Sequence, residues 1–232
     1  MNLSLIKLDW DSSFFGFEIY KMTNITIDNL TFLKQKHAFC YYESKNIINE
    51  EILAKYNGLY INSKVLFFKE IEKIDKKYID EIDSYETPKY DKDILCKVFI
   101  NSGKYSRFNM DSRIGSDLFE KLYMQWYENT LNNTFCDKHF ILTENKGIIS
   151  IKLFEAKSSI AIISVNDKYK GKGYGRYLIG LAEAYTLKNN KKIIEVETQL
   201  ENSKACIFYE RCGFKQKEIR NTYHFDFRNE NF

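Results

Sequence analysis

The chain reads as an α/β protein: a mixed central sheet with helices on both faces, preceded by a smaller α/β domain. Three observations predict this. β-Branched, alternating apolar runs recur in the second half, at Phe140–Thr143, Gly147–Leu153, Ile160–Val165 and Lys192–Thr198. An amphipathic segment with Leu178, Leu181, Ala182 and Tyr185 on one helical face separates the last two. A glycine-rich turn, Tyr169-Lys170-Gly171-Lys172-Gly173-Tyr174-Gly175-Arg176, joins strand to helix there, an order typical of sheets covered by helices.

The elements follow in chain order. Residues 1–92 mix short strands (Leu59–Ile61, Val65–Phe68) with helix (Asn49–Tyr56), and form a first domain. A charged stretch, Lys69–Lys92, holds Pro88 and leads into a second domain, 93–232, whose first strand is expected at Ile94–Ile100. Leu118, Leu122, Trp126 and Tyr127 give Asp117–Leu131 a helical face. Glu144-Asn145-Lys146 turns a hairpin. After the strand at 192–198, Asn202 is placed to cap a helix over Ser203–Cys212, with Gly213 as its C′ residue. Phe214–Ile219 and Tyr223–Phe227 are expected as closing strands.

Composition narrows the function. The 232 residues are 44% hydrophobic and 16% aromatic, enough for a sizeable core, and the net charge of +3 gives no bulk argument for a nucleic-acid polymer or a membrane as partner. Five cysteines are scattered without a Cys-x-x-Cys pair and read as reduced, mostly packed thiols. His37, His139 and His224 fall at no metal-ligand spacing, so no metal is expected. There is neither the apolar stretch of a signal peptide nor one long enough for a membrane span; the cytoplasm is the expected compartment. A homodimer is left open.

The turn carries the chemistry. Glycines at every second position let backbone N–H groups converge without Cβ interference, and the helix N-terminus behind them adds positive potential. Lys168, Lys170, Lys172 and Arg176 strengthen the field. Such a site suits a phosphate or pyrophosphate. It is not a Walker A loop, which needs Gly-Lys-Ser/Thr, nor a dinucleotide fingerprint, whose glycine spacing differs.

The spacing at Lys170, Gly173 and Gly175 resembles the acetyl-CoA loop of GNAT acetyltransferases, Gln/Arg-x-x-Gly-x-Gly/Ala, with Lys170 departing from the usual residue. Asn202-Ser203-Lys204-Ala205-Cys206-Ile207-Phe208-Tyr209-Glu210-Arg211-Cys212-Gly213-Phe214 resembles that family's Asn-x-x-Ala-x-x-x-Tyr-x-x-x-Gly-Phe. The resemblance implies the GNAT fold, with a splayed pair of strands, over residues 93–232. It also implies acetyl-CoA as cosubstrate, held by Lys170, Gly171, Lys172, Gly173, Gly175, Arg176 and Asn202. The backbone of Ile163 and Val165 would meet the thioester and pantetheine in the gap between strands. Leu8–Gly16, Tyr105–Phe108, Leu122–Asn129, Thr134-Phe135 and Val196–Gln199 resemble one branch, the N-acetyltransferases of dTDP-4-amino-4,6-dideoxygalactose (dTDP-fucosamine). That branch implies acetylation of a nucleotide-linked amino-dideoxy sugar for surface polysaccharide synthesis, with Trp10, Asp11, Phe15, Arg107 and Phe108 as substrate-binding residues.

Amide formation from a thioester needs a neutral amine, a stabilised oxyanion and a proton for the leaving thiolate. Tyr209, at the family's tyrosine position, is the candidate general acid; packing in an aromatic helix end is its alternative. No glutamate lies on Ile160–Val165, and Glu195 and Glu197 on the next strand suit solvation or ion pairing better than a base role. Two other readings stay open: a GNAT acting on a small amine or protein N-terminus, and a non-catalytic acyl-CoA sensor.

Overall fold

A computed structural model describes residues 4–228. The chain divides into two compact units, 1–64 with 219–232, and 65–218. The boundary expected near residue 92 therefore falls inside the second unit.

In the first unit the elements are β1 (Leu5–Lys7), α1 (Asp9–Phe15), β2 (Ile19–Met22), α2 (Ile27–Gln35), β3 (Phe39–Ser44) and α3 (Glu50–Lys55), then residues 58–64 of β4 (Gly58–Glu70) and 219–226 of β9 (Lys215–Asp226). The segments expected as two strands at 59–68, and two more at 214–227, are thus one strand each. β1 runs antiparallel to β2, β2 parallel to β3, and β3 antiparallel to β9, with Phe39 opposite Asp226 and Ser44 opposite Asn221. The Thr26 side chain accepts from Asn29 N–H to start α2. α2 buries Leu30 and Leu33 in a core with Met22, Cys40, Tyr223 and Phe225. Gly58 stands so close to Phe225 that a Cβ would meet the ring at 2.6 Å.

The second unit holds residues 65–70 of β4, α4 (Lys76–Asp83), α5 (Lys92–Asn101), α6 (Arg107–Met110), α7 (Ser116–Leu131), β5 (Lys138–Ile141), β6 (Gly147–Leu153), β7 (Ser158–Val165), α8 (Tyr174–Lys188), β8 (Ile193–Gln199), α9 (Ser203–Arg211) and the start of β9. Its strands lie in the order β4-β8-β7-β6-β5. β5, β6 and β7 are antiparallel neighbours, and β7 runs parallel to β8.

The strand expected at 94–100 is the helix α5. Asp91 caps it by accepting from Asp93 and Ile94 N–H, and Leu95, Val98 and Phe99 bury at helical spacing while Ile94 stays exposed. α5 and α8 lie on opposite faces of the sheet. Ser164 Oγ donates to Val98 C=O on the α5 side at 2.6 Å, whereas the next residue, Val165, lies toward Gly175 of α8. α4 packs on α8 at Gly180, where a Cβ would stand 2.4 Å from the Tyr78 ring.

A buried ion pair ties β4 to α8 and the end of α9. Lys69 Nζ lies 2.6 Å from Glu183 Oε1 and donates to the Cys212 carbonyl at 2.9 Å.

Candidate active site

β7 and β8 pair only at their beginnings. The register runs from Ser158 opposite Ile194 to Ile160 opposite Val196 and stops there. On its other side β7 stays bonded to β6 as far as Val165, opposite Gly147. Residues 161–165 are therefore held from one side, and the backbone edge toward β8 is available to a ligand in extended form. Ile163, Ser164 and Val165 are partly exposed there, unlike the buried Ile160 and Ile162.

Beyond the open edge the chain makes one turn of 3-10 helix, Asp167–Tyr169, started by Asn166 accepting from Lys168 N–H, and enters the glycine loop. Gly171 and Gly173 have φ +76° and +88°, and a Cβ on either would meet nothing within 4 Å. Their conformation favours glycine, and the space before them is open. α8 begins after Gly173 with no side-chain cap and no acidic residue in its first turn. Its leading N–H groups lack intrahelical partners, which together with the dipole suits an anion.

The loop's charged side chains divide. Lys172 Nζ sits 5.4 Å from the Tyr169 ring centroid. Lys170 pairs with Asp167 at 2.5 Å with both side chains exposed, a bond of little stabilising value that a stronger anion can replace. Arg176 donates to the Arg211 carbonyl at 2.6 Å, bracing α8 against the end of α9. Gly175 is a packing glycine: a Cβ there would stand 3.1 Å from the Phe208 ring.

Asn202 caps α9 by accepting from Ala205 N–H at 3.3 Å. This fixes the helix that carries Tyr209, whose ring lies among Phe67, Phe208 and Phe214 at centroid distances of 5.8, 5.3 and 5.8 Å. Burial pushes its phenol well above the ordinary value, so it holds its proton throughout the physiological range. Glu195 is buried between Lys157 and Lys217, with the latter at 2.9 Å. Burial pushes its carboxyl up, but hydrogen bonds from both lysines outweigh this and hold it below the usual range. A carboxylate so occupied is a poor base.

Ile163, Val165, the 170–176 loop, Asn202 and Tyr209 all belong to the second unit. So do Arg107 and Phe108: Arg107 opens α6 with its guanidinium 4.7 Å from the Phe108 ring centroid, and Phe108 is buried edge-on against Trp126. Trp10, Asp11 and Phe15 lie on α1 of the first unit. Trp10 is half exposed and stacks on Phe14, while Phe15 is buried, so Phe15 serves packing there.

Sequence reasoning missed a cavity of about 720 Å³ beside the loop, walled by α4, the segment after it, the β5–β6 turn and the start of α8. Its one sequence signal is the helical spacing of Tyr174 and Tyr177. Among the described residues no cluster of three or more His, Cys, Asp or Glu could hold a metal. The five cysteines are free, with Cys40, Cys136 and Cys212 buried.

Residues 136–216, inside the second unit, match the family model described as an acetyltransferase (GNAT) domain. Over 80 residues the chain is 39% identical to an uncharacterized N-acetyltransferase of Methanocaldococcus jannaschii, a match covering 34% of this chain and 35% of that protein. The chain thus spans about a third of the length of the curated relative it matches. A conserved protein of unknown function from Staphylococcus epidermidis superposes with a TM-score of 0.57 at 13% identity, over 90% of this chain and 84% of that one. A GCN5-related N-acetyltransferase from Sphaerobacter thermophilus superposes with a TM-score of 0.51 at 10% identity, over 84% and 61%. At these identities the likeness is one of fold, and the fold is the α/β GNAT fold.

Proposed function

We propose, from the premise that residues 136–216 form a GNAT acetyltransferase domain, that this protein is an N-acetyltransferase using acetyl-CoA. The observation that carries the reading is the parting of β7 from β8 after Ile160 and Val196, next to a glycine loop open at an uncapped helix end. The loop's N–H groups would hold the pyrophosphate, and the open β7 edge would hold the pantetheine as an added strand.

In the reaction the acceptor nitrogen lone pair attacks the thioester carbonyl directly. A β7 backbone N–H near Val165 receives the oxyanion. The C–S bond then breaks, the acetyl group stays on nitrogen, and the sulfur takes a proton from Tyr209. The nitrogen's surplus proton leaves through water, since Glu195 is engaged by two lysines.

The acceptor we propose is a nucleotide-linked amino-dideoxy sugar of the dTDP-fucosamine type, and the compartment is the cytoplasm, where acetyl-CoA is made. The resemblance at Leu8–Gly16 and Tyr105–Phe108 supports that acceptor, as does Arg107, whose planar fork suits a diphosphate. Among the described residues no helix is long and apolar enough to cross a membrane. CoA release is to be measured with dTDP-4-amino-4,6-dideoxygalactose, the free amino sugar, a polyamine and a peptide with a free N-terminus. Turnover is expected with the nucleotide sugar, and Arg107→Ala should raise its KM without changing that for acetyl-CoA. Equal efficiency on the free sugar overturns the nucleotide part; absence of CoA release with all four acceptors overturns the enzyme reading.

A further inference from the structure

The C-terminus of α9 is closed in two stages, and Tyr209 sits inside the closure. Gly213, at φ +86°, ends the helix. Its N–H donates to the Glu210 carbonyl at 2.9 Å, and Phe214 N–H donates to the Tyr209 carbonyl at 3.0 Å. These two bonds form a Schellman cap, and the Phe214 ring packs on that of Tyr209 at a centroid distance of 5.8 Å. The cap does not reach the carbonyls of Arg211 and Cys212, and a cation takes each. Arg176 donates to the first at 2.6 Å and Lys69 Nζ to the second at 2.9 Å. Lys69 runs along Gly213, where a Cβ would stand 3.5 Å from its Cε. Burial pushes the Cys212 thiol up while Arg176 and Lys69 pull it back down, so both cations bear on the same end of the helix.

α8 places both of them. Arg176 and Glu183 lie about two turns apart along it. Arg176 reaches α9 itself, and Glu183 holds Lys69 at 2.6 Å. The family resemblance gives Arg176 to acetyl-CoA, but its guanidinium is turned to the α9 carbonyl. We propose that Arg176 and Lys69 are positioning residues for the Tyr209 hydroxyl, holding the last turn of α9 closed through the Arg211 and Cys212 carbonyls. The proposal rests on the reading of Tyr209 as proton donor to the leaving thiolate; neither cation touches a reacting atom. A frayed last turn would let the hydroxyl drift from the sulfur, and a misplacement of about 1 Å can cost on the order of 10²-fold in rate.

Arg176 gives the test, since Lys69 also serves stability. Arg176→Met, Arg176→Lys, Tyr209→Phe and the double variant Arg176→Met/Tyr209→Phe are made in the full chain. By hydrogen exchange, Arg176→Met should speed the amides of Cys212, Gly213 and Phe214 roughly fivefold, the worth of one hydrogen bond, and leave the middle of α8 unchanged. Its acetyl-CoA Kd, by calorimetry, should move less than about threefold, whereas a lost pyrophosphate contact would weaken binding more than about tenfold. With the best of the four acceptors above, kcat should fall about tenfold at unchanged acetyl-CoA KM, and Arg176→Lys, which keeps a donor, should recover most of it. In the Tyr209→Phe background Arg176→Met should cost nothing further, because both act through one hydroxyl; general loosening would lower kcat in both backgrounds. The proposal is overturned if Arg176→Met weakens acetyl-CoA more than about tenfold with α9 exchange unchanged, or if its kcat losses are equal in the two backgrounds. Near-wild-type kcat in Tyr209→Phe alone removes the acid reading, and this one with it. Turnover with none of the acceptors removes the enzyme reading first.

Discussion

Gly175 lies so close to Phe208 that a Cβ would approach the ring at 3.1 Å. The contact joins the first turn of α8 to α9, and so couples the anion loop to the helix carrying Tyr209. The glycines of this loop therefore separate by role. Gly173→Ala adds a methyl to open space at φ +88°, at a conformational cost of roughly 1–2 kcal/mol. It should keep the fold, with a lower Tm, and raise the Kd for CoA more than about tenfold, near 1.4 kcal/mol. Gly175→Val should instead lose stability through the clash. Thermal melts paired with calorimetry check both, and unchanged CoA affinity in Gly173→Ala would remove the loop from the cofactor site.

Tyr209→Phe keeps the ring among Phe67, Phe208 and Phe214 and removes only the hydroxyl. If that hydroxyl protonates the leaving thiolate, kcat should drop by about 10²- to 10⁴-fold with little change in acetyl-CoA affinity. Because burial raises the phenol pKa, any alkaline fall in wild-type rate below about pH 10, the phenol reference value, should persist in this variant. Near-wild-type turnover would make Tyr209 a packing residue.

Lys69→Met strands Glu183, whose side chain is 7% exposed, without its counter-charge. Losing one partner of a buried pair costs about 3–5 kcal/mol; Lys69 is itself a quarter exposed, so the lower end is expected. The double variant Lys69→Met/Glu183→Leu should recover much of this. Urea unfolding of the wild type, Lys69→Met, Glu183→Leu and the double variant gives the coupling energy, and additive losses would refute the pairing.

Glu195 gives a sign for acid stability. Its carboxyl is held below the usual value in the folded protein, so between the folded and unfolded values the unfolded chain binds more protons, and stability rises with pH. The contribution is full above the ordinary glutamate value of about 4.3 and is lost as pH falls through the lower folded value. Glu195→Gln should be less stable near neutrality and should flatten the acid limb of the unfolding profile. An unaltered limb would assign it to other groups.

What could be read in the sequence is what depends on neighbours along the chain. The glycine loop, the α8 face at Leu178, Leu181 and Ala182, and the Asn202 cap are all local, and the structure has them where the residues predict. The helix at 92–101 was hidden because Ile94, Leu95, Cys96, Val98, Phe99 and Ile100 are nearly all apolar, so neither period stands out; only the Asp91 cap decides it. Parting of β7 from β8 is a matter of register between strands and leaves no local mark. The cavity combines Tyr78 and Tyr85 with Lys146 and Tyr177, residues that only tertiary packing assembles.

The division of β9 has a consequence for how the protein is made. Residues 219–226 pair with β3, Tyr42 standing opposite Tyr223, so the partner of β3 leaves the ribosome only after the whole second unit has been translated. Until then one side of β3 is an open strand edge, which invites pairing with another chain. The second unit, 65–218, is an uninterrupted stretch and has its strands in hand earlier. Synthesis thus favours a nascent chain whose middle is folded while its beginning waits, a state in which chaperone capture or aggregation is decided before the last strand arrives.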